Sequence, residues 1–183
     1  RDLPRVRKAL AAPVHAALLK GRANYLCKFR LEQAKGETFV SRDAAQHFQR
    51  VVQWAGKTQR GDLAEITSVP EDSPVWPQVS STADNCLGSE CPFWSECHLV
   101  KARQQAQSAD IVVVNHHLLL ADLALKEEGY GDILPSADAV ILDEAHQLPE
   151  LAGQFFGTSF NSRKIDQLLS DLPALLLESG FEP

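Results

Sequence analysis

Methionine is absent from the whole chain, and Arg1 runs straight into Asp2-Leu3-Pro4 with no element before it. The sequence therefore reads as an excised piece of a longer protein. Long apolar runs are missing as well. The longest, such as Ile111 to Val114 and Ala174 to Leu177, are far too short to span a bilayer, so a membrane-embedded function is not expected. Cysteine is scarce, with four in 183 residues, and nothing has the shape of a signal peptide. A disulfide-built secreted domain is therefore not expected. No Cys-x-x-Cys pair occurs, and no repeat of solenoid length. What is present, 44% hydrophobic and 23% charged residues, is the composition of a globular domain with a real core.

Charge is unevenly spread. Residues 1–60 carry 13 Lys or Arg against 4 Asp or Glu, whereas residues 61–183 carry 5 against 20, and the net charge is −6. A basic third on an acidic chain suggests a surface that tracks phosphates, or a solvated helix face paired with acids elsewhere. The cysteines are just as uneven. Cys27 stands alone, fifty-eight residues separate it from Cys86, and Cys91 and Cys97 follow at gaps of four and five residues. Structural zinc draws its thiolates from tight pairs. An iron–sulfur cubane is larger and accepts wider spacing with one remote ligand, so the pattern favours a [4Fe-4S] cluster over zinc, with disulfides or unrelated buried thiols as further readings. Pro92, Phe93 and Trp94 suit a dry shell around such a group, or ordinary packing under a loop.

Along the chain, Arg5 to Lys20 has a helical pattern, kinked at Pro13 and stopped by Gly21. Ser41 is placed to cap a helix whose apolar face is Ala44, Phe48, Val51, Val52 and Ala55. Residues 67–82 hold three prolines and read as loop or short helical turns. Leu99 to Ser108 is helical. Ile111 to Val114 and Ala139 to Leu142 are short apolar runs bounded by polar residues, as buried parallel strands are. With a helix at His116 to Lys126 between them they form a β-α-β unit, right-handed by default. Asn115, His116 and His117 turn strand into helix with Asn115 as cap, and adjacent histidines do not face one metal. Leu118, Leu119, Leu120 and Leu123 are expected in the core. A further helix starts at Asn161 or Ser162.

The second apolar run ends in Asp143-Glu144-Ala145-His146. In nucleotide-hydrolysing α/β cores a buried strand presents an acid to magnesium at its carboxyl end, where open sheets bind ligands. Asp143 is thus the candidate Mg²⁺ holder through water, Glu144 the group that polarises the attacking water for ATP hydrolysis, and His146 the link from phosphate state to a neighbouring domain. A bare acidic turn that caps a helix is the alternative. The tripeptide Gly56-Lys57-Thr58 imitates a phosphate loop but is a decoy: the loop's first glycine would fall on Val51, and the tripeptide ends a helix rather than opening one. The true loop is expected before Arg1.

Taken in order, Gly21-Arg22-Ala23-Asn24-Tyr25-Leu26-Cys27, the Cys86/Cys91/Cys97 cluster, Val113-Val114-Asn115-His116-His117-Leu118-Leu119 and Leu142-Asp143-Glu144-Ala145-His146-Gln147-Leu148-Pro149 resemble the iron–sulfur superfamily 2 DNA helicases of the XPD/DinG group, in particular their bacterial YoaA branch. The resemblance covers essentially the whole chain. It implies an α/β fold: part of a RecA-like P-loop motor domain with an inserted, mainly helical iron–sulfur domain. The implied boundaries are residues 1–26 for a first motor segment, 27–97 for the insert, 98–154 for the motor segment with the DEAH box, and 155–183 for the start of an arch domain. It implies Cys27, Cys86, Cys91 and Cys97 as [4Fe-4S] ligands and Asp143, Glu144 and His146 as the DEAH box. The implied activity is ATP-driven 5′→3′ translocation on single-stranded DNA with separation of forked duplex, in a bacterial cytoplasmic, nucleoid-associated setting. Arg22, Lys28, Arg30, Lys101 and Arg103 are candidate phosphate contacts with Tyr25 for base stacking, each equally open to a surface salt-bridge role. A non-enzymatic iron–sulfur redox module and a zinc-stabilised nucleic-acid-binding domain are the rival readings.

Overall fold

Pro13 has no amide hydrogen to give a helix, and the chain beyond it takes a different course from the helical pattern. Ala16–Leu18 is a strand, β1, which pairs in parallel with β2, Ile111–Val113, in the register Ala16↔Ile111, Ala17↔Val112, Leu18↔Val113. The expected helix over 5–20 is thus corrected for its second half: Arg5, Lys8 and Ala9 are helical, but residues 16–18 are strand. Its small and aliphatic end finds a ladder partner ninety-five residues away, and the amide of Leu19 extends the ladder to the Val113 carbonyl at 3.0 Å. The structure, a computed structural model, describes residues 5, 8–9, 13–39, 41–129 and 131–157. The chain divides into two units, Arg1–Ala139 and Val140–Pro183.

In the first unit the connection from β1 to β2 carries most of the structure. Its helices are α1 (Lys28–Ala34), α2 (Arg42–Ala55), α3 (Trp76–Val79) and α4 (His98–Gln107), and α5 (His116–Glu127) follows β2. Ser41 caps α2 as its sequence requires, its hydroxyl accepting the Ala44 amide at 3.1 Å. Ala44, Phe48 and Val51 are the buried stripe. Phe48 and Val51 join Leu26, Leu31, Ala34, Ile66, Val69, Val75 and Val79 in one core, with the Phe39 and Phe48 rings 4.7 Å apart. Each fully buried aliphatic or aromatic side chain there contributes about 2 kcal/mol. A second core lies under the sheet, where Leu19, Ala106 and Leu118 pack with Ala17, Val112, Val114, Ile133 and Leu134. Leu118 and Leu120 are buried as expected, but Leu123 is 45% exposed and Asp122 takes the interior position instead.

The segment leaving β1 is stitched down by three contacts. Tyr25 forms an antiparallel bridge with Asp62, the Leu26 amide donates to the Gly61 carbonyl at 2.8 Å, and the Cys27 amide donates to the Val79 carbonyl at 2.8 Å. Gly61 serves this joint in a way no other residue can. Its φ of +63° lies in the left-handed region, and a Cβ there would run into the His98 ring. The Gly-Lys-Thr decoy ends α2, with Gly56 at the helix terminus and the Thr58 hydroxyl donating to Glu65 at 2.8 Å.

The second unit holds a 3₁₀ turn at Ala145–Gln147 and α6 (Leu148–Phe156), which opens on Pro149. Residues 139–142 are irregular, correcting the expected strand, and Val140 and Ile141 are 62% and 94% exposed. A parallel strand exists only through its neighbours, and among the described residues the sheet has two strands, β1 and β2. The expected helix from 161 or 162 and nearly all of residues 155–183 lie outside the described residues. Among those described, no helix is long and apolar enough to cross a membrane. Gly61→Ala should cost about 3 kcal/mol through the left-handed backbone and the clash with His98, read as a lowered urea midpoint with an unchanged slope.

Candidate metal centre and acidic box

Two of the four cysteines precede helices, which is a matter of local chain geometry before it is one of chemistry. Cys27 is the N-cap of α1 and Cys97 the N-cap of α4. The unpaired amides of a first helical turn carry partial positive charge. Burial pushes the Cys27 thiol up. The Arg30 and Phe29 amides and the Ser81 hydroxyl oppose that, while Cys91 adds to the upward push. Between Cys86 and Cys97 the chain makes two successive 3₁₀ turns, Gly88–Glu90 and Trp94–Glu96, started by Gly88 at φ +57°. Each turn delivers a cysteine at its end. The Cys91 amide donates to the Gly88 carbonyl and the Cys97 amide to the Trp94 carbonyl, both at 3.2 Å.

All four thiols are free, half-buried, and line one cavity of about 360 Å³. Among the described residues no three His, Cys, Asp or Glu side chains converge tightly enough to hold a single metal ion. Four soft thiolate donors spread round a cavity fit a multinuclear iron–sulfur group better than one tetrahedral zinc. Trp94 also lines the cavity though its side chain is 43% exposed, while Pro92 and Phe93 do not line it.

The basic residues divide. Arg22 and Arg103 line the cysteine cavity itself. Burial and the neighbouring Arg22 charge push the Arg103 guanidinium down, while Cys86 and Cys97 pull it up. Lys28 is ion-paired with Glu96, tying α1 to the turn before Cys97, and Glu96 is held below the usual carboxylate range by that pair. Arg30 donates to the Pro77 carbonyl at 3.4 Å. Lys101 faces a separate cavity of about 390 Å³ with His98 and Arg60. The His98 imidazole is buried, which lowers its proton affinity, as do Lys28 and Lys101 nearby. Tyr25 is corrected as a stacking platform. It is 5% exposed and its hydroxyl accepts the Lys20 amide at 3.1 Å, so the ring is packing and offers no free face.

Sequence reasoning missed Asp122. It is buried, accepts the Ile133 and Leu134 amides at 2.7 and 2.9 Å, and pairs with Lys126 at 2.8 Å. Asp132 and Ile133, on the loop it anchors, close one wall of the cysteine cavity. The available signal was an acid inside an apolar helical run with lysine four residues on.

In the second unit, Asp143, Glu144 and His146 are all exposed. Asp143 accepts the Glu144 amide at 3.0 Å, and His146 Nδ1 lies 3.4 Å from Glu144 Oε2. Glu144 has φ +50°, the one positive φ at a residue other than glycine among the described residues. Such backbone costs about 1 kcal/mol or more and gathers at functional turns. The DEAH residues thus form one tight, solvent-facing corner at the start of α6.

Comparison with known proteins meets this site on both flanks. The DEAD_2 family model matches residues 79–165, from just before Cys86 to beyond the acidic corner. The chain is 51% identical over 178 residues to the ATP-dependent DNA helicase YoaA of Escherichia coli (strain K12), with 94% of the chain covered. It is a homologue of the YoaA and DinG helicases. The YoaA helicase of Haemophilus influenzae is 47% identical over 173 residues, again with 94% of this chain covered. The ATP-dependent helicase DinG of Mycobacterium tuberculosis (strain H37Ra) is 37% identical over 173 residues and 82% of the chain. The chain spans about a quarter of these relatives, 27% of either YoaA protein and 25% of DinG.

Asp122 supplies a pH test. Burial pushes its carboxyl up, but Lys126 and the two amides outweigh that and the group is held below its ordinary value of 3.8. A depressed acid stabilises above the unfolded value and loses that contribution as pH falls through the folded one. Asp122→Asn should therefore destabilise the chain by about 3 kcal/mol at neutral pH and flatten the loss of stability below about pH 4. Urea titrations of both proteins between pH 3 and 7 check this, and parallel curves would remove Asp122 from the role.

Proposed function

We propose that this chain is the iron–sulfur and DEAH-bearing part of an ATP-dependent helicase that moves 5′→3′ along single-stranded DNA and opens forked duplex in DNA repair or replication. The observation that carries the reading is that cysteines 59 to 70 residues from Cys27 meet it on one cavity, inside the crossover of an α/β chain homologous to helicases. In this reading residues 1–26 and 98–154 belong to the first motor domain, residues 27–97 are the insert, and 155–183 begin an arch. The sheet neighbours that would make residues 139–142 a strand then come from motor segments outside this chain.

Cys27, Cys86, Cys91 and Cys97 hold the [4Fe-4S] group, whose role is to pin the insert through four bonds at once. The insert has its own core, so the pin fixes how the Cys86–Cys97 turns sit on it rather than creating the fold. Asp143 holds Mg²⁺ through water at the nucleotide. Glu144, turned outward by its left-handed backbone, polarises the water that attacks the terminal phosphate. His146, beside Glu144, carries the phosphate state to the neighbouring domain. Of the basic residues near the centre, Lys101 is exposed and suited to a DNA phosphate, whereas Lys28 and Arg30 are engaged within the protein.

Two measurements on the full-length protein test this. Anaerobic purification should yield iron and sulfide in equal amounts, about four of each per chain, with zinc absent. Zinc at one equivalent without sulfide supports the zinc-binding rival and ends the cluster reading. Separately, Glu144→Gln should lower ATP turnover by at least about a hundredfold while DNA binding stays near wild type. Normal turnover in that variant removes Glu144 from catalysis.

A further inference from the structure

Arg103 was a phosphate-contact candidate by charge and position, yet the fold turns it inward. It sits on α4 six residues after Cys97 and lines the same cavity as the four cysteines. It is half-buried, and its Nε is buried without a hydrogen-bond partner. A guanidinium drawn out of water needs an anion. The cavity wall offers one carboxylate, Asp132, which Lys126 approaches to 3.8 Å. It also holds a second guanidinium, Arg22, whose charge repels Arg103. Two like charges thus sit on one wall beside four sulfurs, with a single shared acid already engaged. Arg103 shares that cavity with all four sulfurs.

We propose that Arg103 is the resident counter-ion of the four-cysteine centre, a positioning residue that slows loss of the bound group and raises its reduction potential. This rests on the cluster reading above. Four thiolates around an iron–sulfur core leave a net negative charge, and the potential of such a centre follows net charge and nearby donors. A fixed positive charge beside the sulfurs favours the more negative, reduced state, so its removal makes reduction harder. The same placement takes Arg103 away from the DNA-binding surface.

The test uses the full-length protein, purified anaerobically as wild type, Arg103→Gln and Arg103→Lys. Iron and sulfide per chain, the rate of iron loss to a ferrous chelator, the midpoint potential and the affinity for a single-stranded oligothymidine are measured for each. In Arg103→Gln the potential should move to more negative values and iron loss should quicken by about tenfold, with oligothymidine affinity unchanged. Arg103→Lys, which keeps the charge, should restore most of both. Unchanged potential and iron loss in a loaded Arg103→Gln protein would overturn the proposal, as would a weakened affinity with an unmoved potential, the mark of a phosphate contact. If Arg103→Gln fails to load, Arg103→Lys decides: loading at near wild-type potential upholds the counter-ion role, and failure to load overturns it. A wild type without iron and sulfide sinks the cluster reading itself, a separate result.

Discussion

A parallel pairing of two three-residue strands governs this structure. Parallel neighbours cannot be joined by a tight turn, so once β1 lies against β2 every residue from 19 to 110 must leave the sheet and come back to it. That excursion contains its own core and all four cysteines. The outgoing limb reaches Cys27 nine residues after the strand, and the returning limb leaves Cys97 fourteen residues before the next. Strand pairing therefore brings both limbs to one place, and the helices α1 and α4 start there with their amide ends toward the sulfurs. The ion pair between Lys28 and Glu96 ties the same two limbs just beyond the cysteines.

The site is layered outward from this crossing. Asp122, on the helix after β2, holds the loop carrying Asp132 and Ile133, which closes the cavity wall opposite the cysteine turns. The arrangement joins the sheet's own core to the cysteine cavity through one buried carboxylate. Loss of that carboxylate would loosen the wall without touching a cysteine.

Much of this was legible in the residues, for reasons that can be named. The Ser41 cap and the Ala44, Phe48, Val51 stripe are local signals, and local signals suffice where helix and core agree. The cysteine grouping was legible because no other thiols compete. Three features were not. Ala16–Leu18 reads as helix because its strand character comes entirely from Ile111–Val113, far along the chain, and context of that kind overrides propensity. Residues 139–142 read as strand on composition alone, but strand formation needs a ladder that the described chain does not provide. Asp122 and Arg103 were passed over or placed outside because charge suggests the surface, and only the folded neighbours show which charges are drawn inward.

The first core draws every member from residues 26–79 and so lies wholly ahead of Cys86. During synthesis this has a consequence in time. Chains emerge at roughly 5–20 residues per second, which places Cys86, fifty-nine positions further on, roughly 3–12 s behind Cys27. Packing of α1, α2 and α3 needs none of the later cysteines and can finish in that interval. Cys27 would then wait on a completed platform, bonded through its amide to Val79, as a lone thiol held open for partners that have yet to be made.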